Sequence, residues 1–336
     1  MTIAHASETS ASSPVAASAL DVSVVIVTWN SAQWIERCLA ALPAAAGGLA
    51  YEAVVWDNAS EDATVERARR RADERTEVVR SPSNRGFAGA VNELLARTRG
   101  RLVFLLNPDC APAPGSIAAL AAYLERSDAA GAVPMLVGDD GASQREFQLR
   151  RFPTLGSILA DVLLFEKIHP SNRASGRYRY RDLDVSVPQP VEQPAAAAIL
   201  LRRATLERIG PFDERFGPAW FEDVDYCRRI AEAGEEIHLV PDARVVHSGG
   251  SSLEVLGIER FLPLWYRNLY LYASKWMRPA EREAVRWGII GGMLLRIAAA
   301  SVGLHREKGS RRSEIRAYVR VLGDAWRRWD GTSRSS

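Results

Sequence analysis

The chain has 336 residues, a formal net charge of +2, and 25% charged residues against 47% hydrophobic ones. That is long and apolar enough to bury the core of one large α/β domain with appendages, or of two medium ones. Its three cysteines, Cys38, Cys110 and Cys227, are far apart and form no CxxC, which argues against a zinc site or a disulfide framework and fits a reducing cytosol. The near-neutral total hides an asymmetry. From Val255 onward about 16 Lys and Arg stand against about 7 Asp and Glu, so the tail carries roughly +9 and the rest roughly −7, and partners of the tail are expected to be anionic.

Residues 1–20 are small and polar, without a basic start or an apolar stretch; they read as a disordered tail and not as a signal peptide. "VSVVIVTW" (22–29) is a continuous β-branched run, the pattern of a strand covered on both faces. Similar runs follow at 51–56, 76–81 and 101–106. Amphipathic helical stretches separate them: one with Trp34, Ile35, Cys38 and Leu39, an Arg- and Glu-rich one after Asn58, and one with Phe87, Val91, Leu94 and Leu95. Strand and helix alternating about every 25 residues predict a doubly wound, Rossmann-like α/β sheet with flanking helices.

In such a sheet ligands bind beyond the carboxyl ends of the strands, where loops converge. The residues just past each predicted strand are Thr28, Trp29 and Asn30; then Asp57, Asn58 and Ser60; then Ser83, Asn84, Arg85 and Gly86; then Asn107, Pro108 and Asp109. Pro108 lacks an N–H and biases Asn107 away from helix, so it ends the fourth strand and fixes the direction of Asp109. Taken alone, Asp109 is equally well read as the opening of a turn.

From 128 to 200 the pattern is less regular. "GAVPMLV" is strand-like, 147–165 is mixed, and "HPSNRASGRYRYRDLDVSVPQPVEQP" reads as a long basic loop, the kind of segment that serves as a lid or recognition element. "AAAAILLRRATLERIG" then reads as a buried strand and a short helix. "WFEDVDYCRRI" places Glu222, Asp223 and Asp225 in a first helical turn, where the macrodipole favours carboxylates. Three acids behind two aromatics exceed what capping needs, and an apolar wall beside a carboxylate raises its pKa and suits it to proton transfer. "PDARVVHSGGSS" runs a strand into His247. A lone histidine there is usually structural, but beside Asp109 it could help bind a divalent ion.

The segments "VVIVTWNS", "VVWDNASEDAT", "NRGFAGAVN", "LLNPD" and "IGPFDERFGPAWFEDVDYCRR", in this order and spacing, resemble the family 2 glycosyltransferases of GT-A fold, and among them the bacterial rhamnosyltransferase-like branch. The likeness covers about residues 21–252. It implies a GT-A domain over 21–254, with a nucleotide-binding half at about 21–127 and an acceptor half at about 128–254. It implies that Thr28, Asn30 and Asp57 line the base and ribose of a nucleotide-sugar donor, with Asn84, Arg85 and Gly86 in a loop closing on it. Asp109 matches the last aspartate of the family's metal-binding DxD motif, Asn107 replacing the first, and His247 a position that completes the metal shell in some relatives. Asp223, paired with Glu222, matches the base. The activity implied is inverting and metal-dependent (Mg²⁺ or Mn²⁺): a sugar, L-rhamnose from dTDP-rhamnose in this branch, passes to a lipid-linked or cell-envelope polysaccharide acceptor such as polyprenyl-diphospho-GlcNAc. A UDP-sugar donor is the alternative. Where the family would have a Gly-containing turn before "IGPFDERF", this chain has "EQPAAAAILLRR", which leaves the acceptor open.

Two readings of other kinds are weaker. A dinucleotide-binding oxidoreductase would need GxGxxG after the first strand, where this chain has "TWNSAQWIE". A non-catalytic sugar-binding protein would have no use for both Asp109 and Asp223.

Residues 255–330 read as basic, aromatic helices, followed by a short tail at 331–336. No stretch reaches 18 apolar residues without a charge; the nearest, "WGIIGGMLLRIAAASVGL", is interrupted by Arg296. These helices are read either as a layer packed on the domain or as a surface resting on an anionic membrane, which would place the protein in the cytoplasm at the inner membrane's cytoplasmic face. No nucleic-acid motif accompanies them, so nucleic acid is not an expected partner. The sequence fixes no oligomeric state.

Overall fold

A computed structural model describes residues 20–169, 172–249, 256–303 and 310–329. The expected tails at 1–20 and 331–336 lie outside these residues, except for Leu20. Residues 22–106 alternate as the sequence predicts: β1 (Val22–Thr28), α1 (Ile35–Ala46), β2 (Tyr51–Asp57), α2 (Thr64–Arg71), β3 (Thr76–Arg80), α3 (Gly86–Arg97) and β4 (Leu102–Leu106). These four strands are parallel and lie in the order β3-β2-β1-β4. The order reverses at β1, so the crevice of this sheet opens beyond the carboxyl ends of β1 and β4. Alternate residues of β1 and β4 feed two apolar layers: Val24, Ile26 and Phe104 pack with α1 and the later helix Ser116–Glu125, and Val25, Val103 and Leu105 with α3. Burial on both faces is why these strands are continuous apolar runs.

Beyond β4 come β5 (Cys110–Pro112), α4 (Ser116–Glu125) and β6 (Gly131–Val137). The second half adds β10 (Ala198–Arg202) and β11 (Ile237–His247), which continue the sheet in the order β4-β10-β6-β11-β5. Because β10 is antiparallel to β4, with Ala198 opposite Leu106, its start reaches the same rim as the ends of the first strands. β11 is parallel to β6 and ends there too, with His247 opposite Cys110 of antiparallel β5.

Residues 169–194 depart from the loop reading, and the mixed stretch before them resolves into short elements. They hold α5 (Arg145–Gln148), β7 (Leu149–Arg150), α6 (Leu155–Val162), α7 (Phe165–Ile168), α8 (Arg173–Tyr178), β8 (Gln189–Val191) and β9 (Gln193–Pro194). The basic stretch conceals α8 because its helix is short and locally capped: the Asn172 side chain accepts from Ser175 N at 2.9 Å. α9 (Arg203–Ile209) and α10 (Glu222–Glu232) follow.

The chain ends in α11 (Ile258–Trp276), α12 (Pro279–Ser301) and α13 (Arg311–Trp326). A third apolar cluster joins them to Phe216, Phe221 and Val224 and to Ile158 and Val162 of α6. These helices therefore pack on the segment that carries Glu222 and Asp223.

Candidate active site

Thr28 and Asp57 sit opposite each other across β1 and β2, both fully buried. Thr28 Oγ1 donates to Asp57 Oδ1 at 3.0 Å; Ser60 adds a bond from its N to Oδ2 at 2.9 Å and one from its Oγ to Oδ1 at 2.5 Å. Both oxygens of Asp57 are thus engaged within the protein, and they hold the ends of β1 and β2 in one arrangement. Asn30 has a positive φ of 49°, which Asn tolerates better than most residues. Its N donates to Ser60 Oγ at 2.9 Å and its Oδ1 accepts from Glu61 N at 2.9 Å. Buried Asn58 ties in the third loop: Oδ1 accepts from Arg85 N at 3.2 Å, and Nδ2 donates to Gly86 O at 3.1 Å. Asn84 and Arg85 are exposed; Asn84 Oδ1 accepts from Gly86 N at 2.8 Å, and Arg85 pairs with Glu93. Gly86 has φ +72°, and a Cβ there would meet Pro218 O at 2.9 Å. The third rim loop therefore lies directly against the loop that precedes Glu222.

Residues Asn107 to Cys110 form a tight turn closed by Cys110 N donating to Asn107 O at 3.1 Å. Pro108 occupies its second position, which suits the fixed φ of proline, and Asp109 its third. The turn and β5 bring Asp109 beside His247, with Oδ2 3.6 Å from Nε2 and both side chains largely buried. Gln144, from the segment just before α5, grips the histidine twice: its Nε2 donates to His247 O at 2.8 Å and its Oε1 faces Nδ1 at 2.7 Å. With the amide so oriented, Nδ1 carries the proton and the Nε2 lone pair faces Asp109. Phe147 stacks on the ring, centroids 4.9 Å apart. Burial lowers the pKa of His247 and prevails over Asp109, which raises it, so the imidazole stays neutral, the form that binds metals. Asp109, Cys110 and His247 bring ligand atoms within 4.8 Å of one another. The Cys110 thiol points to Ala197 O at 3.3 Å, and burial, followed by Asp109, pushes its pKa well up, so it remains protonated. A carboxylate and a neutral imidazole fit a divalent ion; the thiol does not.

Asp223 is half-buried at the start of α10. Its Oδ1 accepts from Val224 N at 2.8 Å and its Oδ2 from Ala196 N at 3.4 Å. Burial raises its pKa despite these bonds and the nearby Arg150. Glu222 is buried, and its pKa is pushed well up by burial and then by Asp223. The neighbour of Ala196, Ala197, accepts from Asn107 N at 2.8 Å. The alanine stretch that stands in place of a Gly-containing turn thus spans from the Asp109 turn to Asp223 with its backbone, and short side chains let it pass between them.

Asp225 plays a different part from its two neighbours. Fully buried, it receives Lys275 Nζ at 2.9 Å and Trp276 Nε1 at 2.7 Å from the end of α11. On the same helix, buried Asn268 directs Nδ2 at the carbonyls of Phe216, Ala219 and Trp220, at 2.6, 2.8 and 3.0 Å, and Arg267 reaches Gly217 O at 2.9 Å. Trp220 and Phe221 have φ of +73° and +72°, a region costly for aromatic residues. The α11 bonds hold the loop in that shape, and the loop aims Asp223.

Sequence reading missed Gln144, Ala196, Ala197, Asn268 and Lys275. Gln144 carried no signal, since glutamine is common in turns; Asn268, a polar residue amid "LWYRNLYLY", was the one visible anomaly.

A profile of the family described as glycosyl transferase family 2 matches residues 23–203. The chain is 29% identical to N-acetylglucosaminyl-diphospho-decaprenol L-rhamnosyltransferase of Mycobacterium tuberculosis over 287 residues, 81% of this chain and 90% of that one. It is 23% identical to rhamnosyltransferase WbbL of Escherichia coli over 145 residues, 43% of this chain and 51% of that one. Among solved structures, mannosyltransferase PcManGT of Pyrobaculum calidifontis, in complex with GDP-Man and Mn²⁺, aligns with a TM-score of 0.53 and 19% identity over 92% of this chain and 87% of that one. At that identity the likeness speaks for the fold alone.

Proposed function

The chain belongs to glycosyl transferase family 2, and from that premise we propose that it moves L-rhamnose from dTDP-rhamnose, with inversion, to a lipid-linked or cell-envelope polysaccharide acceptor such as polyprenyl-diphospho-GlcNAc. It is a glycosyltransferase, and its similarity to rhamnosyltransferases, over most of its length in one case, carries the choice of sugar. An acceptor of this kind puts the enzyme at the cytoplasmic face of the membrane.

The proposed chemistry uses groups that share one rim. Thr28, Asn30 and Asp57 shape the floor for base and ribose, and the Asn84–Gly86 loop closes over the nucleotide, with Asn107 and Glu222 lining the space between. Asp223 accepts the proton of the acceptor hydroxyl as that oxygen attacks the anomeric carbon. Two properties support this role: burial raises its affinity for a proton, and two backbone amides fix its carboxylate. Neutral Glu222 avoids placing a second negative charge beside it. Asp109 and His247 would hold Mg²⁺ or Mn²⁺, which when bound neutralises the leaving diphosphate. The step is a single displacement: the acceptor oxygen bonds to the anomeric carbon, the bond to the diphosphate breaks, and the centre inverts.

Calorimetric binding of dTDP-rhamnose, UDP-N-acetylglucosamine, UDP-galactose and GDP-mannose, each with and without Mg²⁺ or Mn²⁺, tests the assignment. Metal-dependent preference for dTDP-rhamnose is expected. Preference for a UDP-sugar would move the donor to the alternative, which Thr28 and Asp57 do not exclude because neither position distinguishes uracil from thymine.

A further inference from the structure

Helix α12 is long and apolar enough to be considered a membrane span, yet half of its apolar window is buried in the fold. It is fastened side-on to α6. A Cβ on Gly292 would meet Val162 O at 2.1 Å, and one on Gly288 would meet Leu159 Cδ2 at 2.4 Å, so the helices touch at backbone distance. Arg296, the one charge between Trp287 and Gly303, is buried and donates to Val162 O at 2.5 Å and Gly292 O at 3.3 Å. Crossing a bilayer would require pulling these contacts apart. With its arginine turned inward, the outer face of α12 carries no charge from 287 to 303.

That face is exposed and apolar. Trp287, Leu294 and Leu295 are 52%, 53% and 49% exposed, and beside them Leu163, Phe165 and Ile168 of the α6–α7 corner are 37%, 46% and 70% exposed. Gly291 joins the two sets, since a Cβ on it would lie 3.6 Å from Leu163 Cδ2. Cations border the patch. Exposed Lys167 lies between Phe165 and Ile168. At the far end of α12, Arg311 donates to Ser301 O with exposed Arg312 next to it. Trp326 packs edge-on against Trp287, centroids 6.0 Å apart, and exposed Arg327 follows it.

We propose that this patch rests in the surface of an anionic bilayer, with Phe165, Ile168, Leu294 and Leu295 among the acyl chains and Trp287 and Trp326 at headgroup depth. An uncharged apolar stripe rimmed by Lys and Arg is the make-up of an in-plane interfacial element, and its charge complements anionic lipid. The cations at its border favour an anionic surface over a neutral one. The link to catalysis rests on the proposed lipid-linked acceptor. α6 also packs through Ile158 and Val162 into the apolar cluster that holds Phe221 and Val224, the residues on either side of Glu222 and Asp223. The same helix therefore borders both the bilayer and the cleft, and a lipid-bound acceptor would reach Asp223 without leaving the membrane surface.

The test is flotation of the full chain with vesicles of phosphatidylcholine alone and with added phosphatidylglycerol, at low and high salt. Wild type is expected to bind only the anionic vesicles, less so in high salt. Leu294→Glu with Leu295→Glu, and separately Phe165→Ser with Ile168→Ser, should weaken binding at least tenfold, whereas Val187→Glu, at an exposed site outside the patch, should not. Melting curves check that each variant folds, and turnover of a water-soluble, short-chain acceptor should be unchanged. Wild type that ignores phosphatidylglycerol, or variants that float as well as wild type, would overturn the proposal. So would a wild-type dimer that the patch variants split, which would assign the face to a second copy. Correct vesicle behaviour without any glycosyl transfer would support the surface while sinking the proposed function.

Discussion

Replacing Asn268 by leucine removes a buried amide without changing its bulk much, and it tests whether α11 belongs to the site. The amide has two N–H hydrogens directed at three carbonyls, of Phe216, Ala219 and Trp220, so it satisfies about two of them at once. Leaving two buried acceptors without a donor costs about 2–4 kcal/mol at the usual 1–3 kcal/mol each, allowing for some relaxation. The loop has an easy way to relax, because the left-handed backbone at Trp220 and Phe221 stores strain of about 1–3 kcal/mol per residue that it can release. Asp223 moves when it does so. Asn268→Leu should therefore lower unfolding free energy in urea by about 2–4 kcal/mol and lower kcat at least tenfold, while the affinity for donor, which the proposed site binds mainly through the other rim loops, falls far less. Asn268→Asp, which keeps the shape but replaces the donor by an acceptor, should be worse on both counts. An Asn268→Leu enzyme with wild-type stability and kcat would refute the idea that this helix aims the loop.

Asp223→Asn should reduce transfer by about 10²–10⁴-fold with calorimetric donor binding nearly intact; parallel loss of donor affinity would remove its role as base. Because burial raises the pKa of Asp223, its protonated, inactive form persists to higher pH than for an ordinary aspartate. The acid limb of kcat/KM should lie correspondingly high and disappear in the Asn variant's residual rate. Glu222 has a raised folded pKa, so the stability it contributes is full below its unfolded pKa and is lost as pH rises through the folded one. Glu222→Gln should flatten that decline in pH-dependent melting. Gln144→Ala frees the His247 ring and should weaken Mn²⁺ binding about 10–100-fold, read by electron paramagnetic resonance of the free ion without any substrate; unchanged affinity would mean that the ring needs no orienting partner. Gly86→Ala forces both a positive φ and a contact with Pro218 O, and should weaken donor binding through displacement of the Asn84–Gly86 loop. Tight donor binding in that variant would show that the loop is not part of the nucleotide site.

Much of the architecture is legible locally. Strands buried on both faces must be apolar at successive positions, and helices covering them must repeat about every 3.6 residues, so the alternation from Val22 to Leu106 appears in the order of residue types. The polar ends of those strands follow from the same pattern, because a ligand rim is where apolar runs stop. Residues such as Thr28, Asp57 and Asp109 were visible for that reason. α8 was hidden because six residues show no clear period, and its start depends on one Asn side chain.

What the linear order could not contain is which distant groups meet. Gln144 and His247 are joined only because β11 runs parallel to β6 and ends beside the segment that follows it. Asp225 looks like its neighbours Glu222 and Asp223, but the helical rotation of about 100° per residue turns it toward Lys275 and into a structural pair. Arg296 interrupts an apolar stretch in the sequence and, folded, faces inward, so that the same helix shows its neighbours an arginine and solvent an uncharged face. Local chemistry determines the elements and where their polar ends lie; direction and partner are set by packing between residues that are far apart in the chain, and only the tertiary structure decides them.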